Sequence, residues 1–349
     1  MFELKLFTVK DLQNWLYGAN PTKGLSNRII SQQRAWAIIH NPYVFESDTV
    51  LASIFVDGEI AAYSAAFPEK SVTFGDKRFW WITTLFCEKK FEGRGLGIVA
   101  IGAFIELYGK DFCFDADGAP ETIGIFSYFG HQTEYFSQYF LRQKRFANTI
   151  KGKFLSFINR KERLKRISFF ESKISSLKYS LKYTSFVSGN SYEFILNKSD
   201  GDVWLRSQST LNWILGYPFM QPGLVQERVT LDLFFTSNIK SYLLYAVEVY
   251  ADHGLVGLYI VRDSVWNFAI PYLYFDEVFK NEVYSSVAEN YLRSGNKCFT
   301  TMSKELSDFM MDNGIFDVVD KEEKSFSYPV SFKARNKKMQ LGDGDMFVF

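Results

Sequence analysis

Three glycines at alternate positions, Gly93, Gly95 and Gly97, are the residues of this chain whose spacing could do chemistry. An apolar run, residues 79–87, precedes them, followed by the charged stretch Glu88-Lys89-Lys90-Phe91-Glu92. A second apolar run, residues 98–108, follows at once. The first run reads as a strand and the second as a helix. Glycines at such a junction let the backbone approach a ligand closely and turn its N–H groups outward. The helix start adds unbonded N–H donors and the positive end of its dipole. This cradle suits an anion, and a diphosphate above all.

Spacing excludes two common diphosphate loops. A Walker loop needs four residues between its glycines and then Lys-Ser or Lys-Thr, which this chain lacks here. A dinucleotide fingerprint needs Gly-x-Gly-x-x-Gly, and the third glycine comes one position early. Gly-x-Gly alone also serves an ordinary strand-to-helix turn, so the neighbouring elements carry the argument. Residues 50–56 and 60–67 flank Asp57-Gly58, a strong hairpin signal. Residues 122–126 read as a buried strand, 132–141 as a helix and 149–158 as a further strand.

This order, with the glycine loop inside it, resembles the GNAT acyltransferases over residues 1–158. Their motif A reads Arg/Gln-x-x-Gly-x-Gly/Ala, and Gly95-Leu96-Gly97 matches its second part. Glu92 stands where the family has Arg or Gln, and its carboxylate would repel a phosphate. The resemblance implies acetyl-CoA, or another acyl-CoA, as co-substrate and no metal. It implies contacts to that molecule from Phe86, Cys87, Glu92, Gly93, Arg94, Gly95, Leu96, Gly97 and Ile98. It also places a bulge on the preceding strand, with an oxyanion-binding N–H near Cys87. For the base, Glu88 is the nearest carboxylate, unless it is only an exposed turn residue. His131 has a suitable pKa range, or is a capping or surface histidine. The family's acidic Tyr maps most nearly to Tyr139, although the Tyr-x-x-x-Gly-Phe pattern is poorly kept. Cys87 lacks a His–Asp companion and reads as a structural thiol.

Composition narrows the classes. The chain has 349 residues, about two domains' worth, and 47% are hydrophobic. Aromatics reach 18%, which fits a Phe-rich core or an aromatic ligand groove. Forty basic against 39 acidic residues leave a formal charge of +1, so nothing in the global charge favours nucleic acid. Three cysteines and three histidines are too scattered for a disulfide framework or a zinc site. The sequence lacks a signal-peptide pattern and a membrane-length apolar run, so a cytoplasmic protein without membrane contact is expected.

From residue 190 the order of elements starts again. A charged helix over 159–188 is expected to link a first domain, 1–158, to a second, 189–349. The second has a hairpin around Asp252-His253-Gly254, a strand at 268–275, helices at 278–294 and 303–313, and a strand at 297–302. Its strand-to-helix junction is Phe275-Asp276-Glu277, with acids in place of glycines. The expected fold is therefore α/β (α+β): two GNAT-like domains, each a mixed, largely antiparallel sheet flanked by helices, the second without cofactor binding. Asp343 and Asp345 near the C-terminus are read as groups for a substrate ammonium, or as a turn. The resulting expectation is an acyl-CoA-dependent N-acyltransferase acting on a small amine such as an amino sugar or metabolite. The alternatives are a Fem-type aminoacyl transferase and a non-catalytic ligand-binding module.

Overall fold

The computed structural model describes residues 1–343 apart from 19–21, 27–28, 73–74, 76, 145–149, 175–176, 201, 217–241, 252–253, 265–266 and 333–337. The first half runs β1 (Phe2–Thr8), α1 (Val9–Tyr17), α2 (Gln32–Ile39), β2 (Thr49–Val56), β3 (Glu59–Lys70), β4 (Arg78–Cys87), α3 (Leu96–Tyr108), β5 (Cys113–Ala116), α4 (Pro120–Tyr128) and β6 (His131–Arg142). Helix α5 (Ile150–Ile174) follows. The second half runs β7 (Ser180–Thr184), α6 (Gly189–Lys198), α7 (Gln208–Gly216), β8 (Tyr242–Ala251), β9 (Gly254–Ser264), β10 (Asn267–Phe275), α8 (Lys280–Ser294), β11 (Cys298–Thr301), α9 (Lys304–Asp312) and β12 (Val318–Pro329).

Local chemistry accounts for many of the ends. Thr8 and Asp11 form a reciprocal capping box on α1, and Ser303 caps α9 through the Leu306 N–H. Asp57 and Gly58 both take positive φ, 52° and 81°, which a two-residue hairpin loop requires.

All twelve strands form one sheet in the order β1-β2-β3-β4-β5-β12-β6-β11-β10-β9-β8-β7. Replacing each strand of one half by its counterpart in the other leaves this order unchanged. The two halves are thus related by a pseudo-twofold axis, although their sequences show no clear similarity. The axis passes through the β6–β12 ladder, which pairs His131 with Pro329 and Arg142 with Val318 across twelve residues. Each half lends its last strand to the other. β12 separates β5 from β6, and β6 separates β12 from β11.

Four sequence expectations fail here, one being the linker helix over 159–188, within which β7 takes Ser180–Thr184. Residues 122–126 are not a strand but lie in α4, residues 132–141 are not a helix but lie in β6, and 149–158 contribute no strand, because α5 begins at Ile150. The first-half strand that follows α3 is instead the four-residue β5. Four residues are too short to show a period, and Pro120 starts the next helix at its first turn. β6 lies in the middle of the sheet with polar residues among its aromatics, so it shows no clean alternation.

One core cluster belongs to both halves. Phe67, Trp81 and Phe114 pack in one cluster with Trp204, Trp213, Tyr272 and Phe326. Inside it Arg206, 1% exposed, donates to Glu69 Oε2 at 2.7 Å, and the Trp81 indole donates to the same oxygen. Burial raises the Glu69 pKa, and Arg206 pulls it back down. Arg206 also donates to the Gly342 carbonyl at 3.0 Å. Fragment 1–178 lacks β12 and should give no cooperative unfolding transition by circular dichroism, whereas co-expression with 179–349 should restore one. Arg206→Met alone should cost about 3–5 kcal/mol, because it strands a buried carboxylate. Adding Glu69→Gln should recover part of that loss, read as the shift of the urea midpoint in a double-mutant cycle.

Candidate active site

Two wedges open in the sheet, one in each half. β4 runs parallel to β5 but pairs with it only at Trp80–Cys113 and Trp81–Phe114. From Ile82 to Cys87 that edge of β4 has left β5, and no described strand replaces it. On its other edge β4 pairs with β3 up to Cys87–Ala62, with one irregularity. Thr83 opposes Ala65 and Leu85 opposes Ser64, so Thr84 is an extra residue with φ +48°. This bulge leaves Thr84 unpaired in the ladder and bends the strand. Arg34 of α2, 3% exposed, donates to Thr84 Oγ1 at 3.1 Å. The bulge therefore lies three residues ahead of Cys87, not beside it as the family resemblance implies.

Past Cys87 the chain makes one 3-10 turn, closed by Phe91 N–H to the Glu88 carbonyl at 2.8 Å and Glu92 N–H to the Lys89 carbonyl at 3.3 Å. Phe91 is buried, with the charges of Lys90 and Arg94 over its ring at 5.0 and 5.2 Å. It anchors a loop whose residues Glu92, Gly93, Arg94 and Gly95 are exposed. Gly93 and Gly95 take φ of +74° and +72°, and a Cβ on either would meet nothing within 4 Å. Among the described residues, no backbone carbonyl accepts from the amides of Gly93, Arg94, Gly95, Leu96 or Gly97, and the first internal bond of α3 runs from Ile98 to Gly95 at 3.1 Å. Among the described residues, five donors thus gather beyond the end of β4. Gly97 has a packing reason: a Cβ there would sit 3.1 Å from Leu85 and 3.2 Å from Ile125.

Charge near the loop is mixed. Lys90 pairs with Glu59, while Lys89 and Arg94 make no ion pair among the described residues. Burial and the carboxylates of Glu92 and Glu88 raise the Cys87 pKa, so its thiol stays protonated at neutral pH. Phe86 stacks on Tyr63 at 5.0 Å. The far wall of the wedge comes from the second half. Lys324 of β12 pairs with Asp117 at 2.9 Å, and the Asp117 N–H donates to the Ser325 carbonyl at 2.8 Å.

The structure does not bring all the expected residues together. Glu88 lies beside the loop and is half-buried. His131 is the first residue of β6, not part of a loop before a helix, and is 6% exposed. Its Nε2–H donates to the Cys113 carbonyl at 3.0 Å, its ring meets Phe126 edge-on, and burial lowers its pKa. Cys113 pairs with Trp80, seven residues before Cys87, which puts His131 roughly 20 Å down the strand from the loop. Tyr139 lies on β6, not on a helix, and opposes Lys321 of β12 and Thr301 of β11. β6 runs in the same direction as β4, so Tyr139 lies toward the loop end of the sheet, on the far side of β12.

The second wedge explains Asp343. β10 pairs with the parallel β11 only from Asn267 to Ala269, then shifts register against β9. Here the chain fills its own gap. The Gly342 N–H donates to the Pro271 carbonyl at 2.9 Å, and Gln340 Nε2 lies 3.4 Å from the Leu273 carbonyl. These carbonyls are two residues apart and so share one edge, the one β11 leaves. A Cβ on Gly342 would lie 2.3 Å from the Tyr272 ring, so only glycine fits. Asp343 is fully buried and accepts from the Gln340 N–H at 2.8 Å. Its pKa is raised by burial and pulled down by Arg206, the chain's own cation. Asp343 thus faces an internal guanidinium, while Asp345 lies outside the described residues. At the end of β10, Asp276 bonds Lys198 at 3.0 Å and accepts from the Val278 N–H, so no open donor loop forms there.

Thr84, Arg34 and the 340–343 plug escaped the sequence reading. Thr83-Thr84, two polar residues in the middle of an apolar strand, was the available signal for the bulge. Among the described residues, no group of three His, Cys, Asp or Glu is placed to hold a metal, and no helix is long and apolar enough to cross a membrane.

No protein-family model matches this sequence, and no curated protein sequence matches it significantly. Solved structures do match. One is a conserved protein of unknown function from Enterococcus faecalis V583, described as a "probable N-acyltransferase". It is 16% identical at a TM-score of 0.50, over 96% of this chain and 74% of that one. Another is a GCN5-related N-acetyltransferase from Kribbella flavida, 10% identical at a TM-score of 0.50, over 93% of this chain and 70% of that one. The fold is that of the GNAT superfamily, built twice in one chain. Gly342→Ala should lower the thermal midpoint sharply, at a cost of about 2–3 kcal/mol, since its Cβ would overlap a buried ring. Gly93→Ala should cost about 1 kcal/mol, from its positive φ alone. Scanning calorimetry of the two variants checks the contrast.

Proposed function

We propose that the chain is an acyl-CoA-dependent N-acyltransferase in which residues 1–158 hold the co-substrate and 189–349 complete the acceptor side. One observation carries this reading. Among the described residues the two wedges share one geometry: residues 340–343 bond β10 in the second, whereas in the first no described strand pairs with β4 beyond Trp81 on the β5 side, and the amides of residues 93–97 meet no described backbone carbonyl. An extended amide-bearing arm would bond β4 beyond Trp81 as residues 340–343 bond β10. A diphosphate at the arm's end would then meet the amides of Gly93 to Gly97 at the start of α3. Lys89 and Arg94 add positive charge beside it, against the negative charge of Glu92.

In the reaction we infer, an unprotonated amine attacks the thioester carbonyl, and the C–S bond breaks to release the thiol. A main-chain N–H at the Thr84 bulge stabilises the oxyanion. Glu88 is the base we favour, directly or through a water, because it alone of the proposed acid–base residues lies beside the loop. Tyr139 could protonate the thiolate only for a substrate that spans β12. His131, neutral and bonded to Cys113, fits a positioning role. The Cys87 thiol is not needed as a nucleophile.

Isothermal titration with acetyl-CoA tests the reading. One site per chain is expected, and Arg94→Glu should weaken binding about tenfold or more, or ~1.4 kcal/mol. No heat at millimolar ligand would end the proposal. Binding without thiol release across a panel of amines would leave a ligand-binding module instead of an enzyme.

A further inference from the structure

Among the described residues both ends of the twelve-stranded sheet are open edges, but they differ in kind. At one end β1 is bonded only to β2 among the described residues. Its alternate residues Phe2, Leu4 and Leu6 are 50, 38 and 40% exposed. They share one face of the strand. There Leu4 borders a shallow groove of about 400 Å³ with Val99, Gly102, Ile105 and Phe129. A seven-residue edge with an apolar stripe and no proline or bulge at its centre is a template for another strand.

The sequence of β1 selects the partner. Written as Phe2-Glu3-Leu4-Lys5-Leu6, it is its own antiparallel complement about Leu4. In that register Phe2 faces the partner's Leu6, Leu4 faces the partner's Leu4, and Glu3 faces the partner's Lys5. Both charged pairs are then opposite in sign, which favours a cross-strand pair, whereas like charges disfavour one. Lys5 already lies 3.6 Å from Glu3 of its own strand, so a second carboxylate would complete a four-charge cluster. The other edge, β7, fails the same test. Self-pairing about its centre sets Lys182 against itself, and that lysine is bonded to Glu248 on the neighbouring strand. β7 also has only five residues.

We propose that β1 is the dimerisation edge of this protein. Two copies pair it antiparallel with Leu4 on the twofold axis, joining two sheets into one. The contact is isologous and closes at two copies, whereas β1 against β7 would propagate without end.

Light scattering coupled to size exclusion, over a concentration series of the full chain, should give twice the 40.5 kDa chain mass at the high end. Leu4→Lys places like charges on the axis and should return the monomer. Its circular dichroism should stay that of the folded chain, and its thermal midpoint should match that of the wild type diluted to the monomer. Leu4→Cys should cross-link to itself under mild oxidation. Opposed residues in an antiparallel ladder lie about 4.5–5.5 Å apart between Cα atoms, within disulfide range. Wild type and Lys182→Cys should not cross-link. A monomer at every concentration, a dimer indifferent to Leu4→Lys, an open-ended series of oligomers, or cross-linking through Lys182→Cys alone would each overturn the proposal.

Discussion

The twelve-residue ladder between β6 and β12 is the constraint on which the rest of the molecule depends. Each of these strands is flanked by strands of the opposite half as well as by the other, so neither half has a complete sheet of its own. The mixed core around Trp81, Trp204 and Phe326 follows directly, because the faces that meet there come from both halves. So does the buried pair Glu69–Arg206, which can form only when β3 and the segment before α7 are already side by side. A pair this deeply buried adds little net stability but penalises any arrangement that separates its partners. It acts as a register pin for a contact that apolar packing alone would leave adjustable.

The matching order of the two halves gives two wedges with opposite fates. Parallel neighbours that part after two or three pairs leave a run of unsatisfied backbone groups on one edge, and such groups must find donors or water. In the second half the chain supplies the donors itself, through Gly342 and Gln340. That solution requires a residue without a side chain where Tyr272 closes in. In the first half no described strand pairs with β4 beyond Trp81 on the β5 side, and the glycine loop at its end turns amides outward. The acids after β10, bonded to Lys198 and Lys280, are compatible with the first solution and not the second. Lys324 and Asp117 tie the first half's wedge to the borrowed strand, so the second half forms part of its wall.

The sequence made the repeated parts legible. Both hairpins, the glycine loop, α3, β10 and the order α8, β11, α9 follow from turn residues, caps and runs long enough to show a period. What escaped lies around the exchange. β5 is too short to show a period, and the apolar residues of α4 mimic a buried strand. In β6, Tyr135 and Tyr139 are four apart and imitate a helical face, while the strand's true environment comes from β12 and β11, distant in sequence. The glycine loop was readable because its signal is local. The bulge at Thr84 and the plug at 340–343 were not, since each is defined by a partner elsewhere: Arg34 for one, the edge of β10 for the other. Asp343 does lie in a turn, one of its two readings, but the turn is buried. An acid beside glycines looks like a surface turn until the buried guanidinium opposite it is known.

The borrowed strand also fixes an order of events during synthesis. Residues 1–142 leave the ribosome with a gap beside β5 that nothing yet made can fill, and the missing piece begins at Val318. Closing so large a loop is entropically slow, and until then the edges of β5 and β6 are exposed to any other strand. The nascent first half must therefore wait, shielded or loosely collapsed, for a segment made near the end of translation. Chaperone dependence and sensitivity to translational pausing would come from topology, independent of how stable the finished protein is.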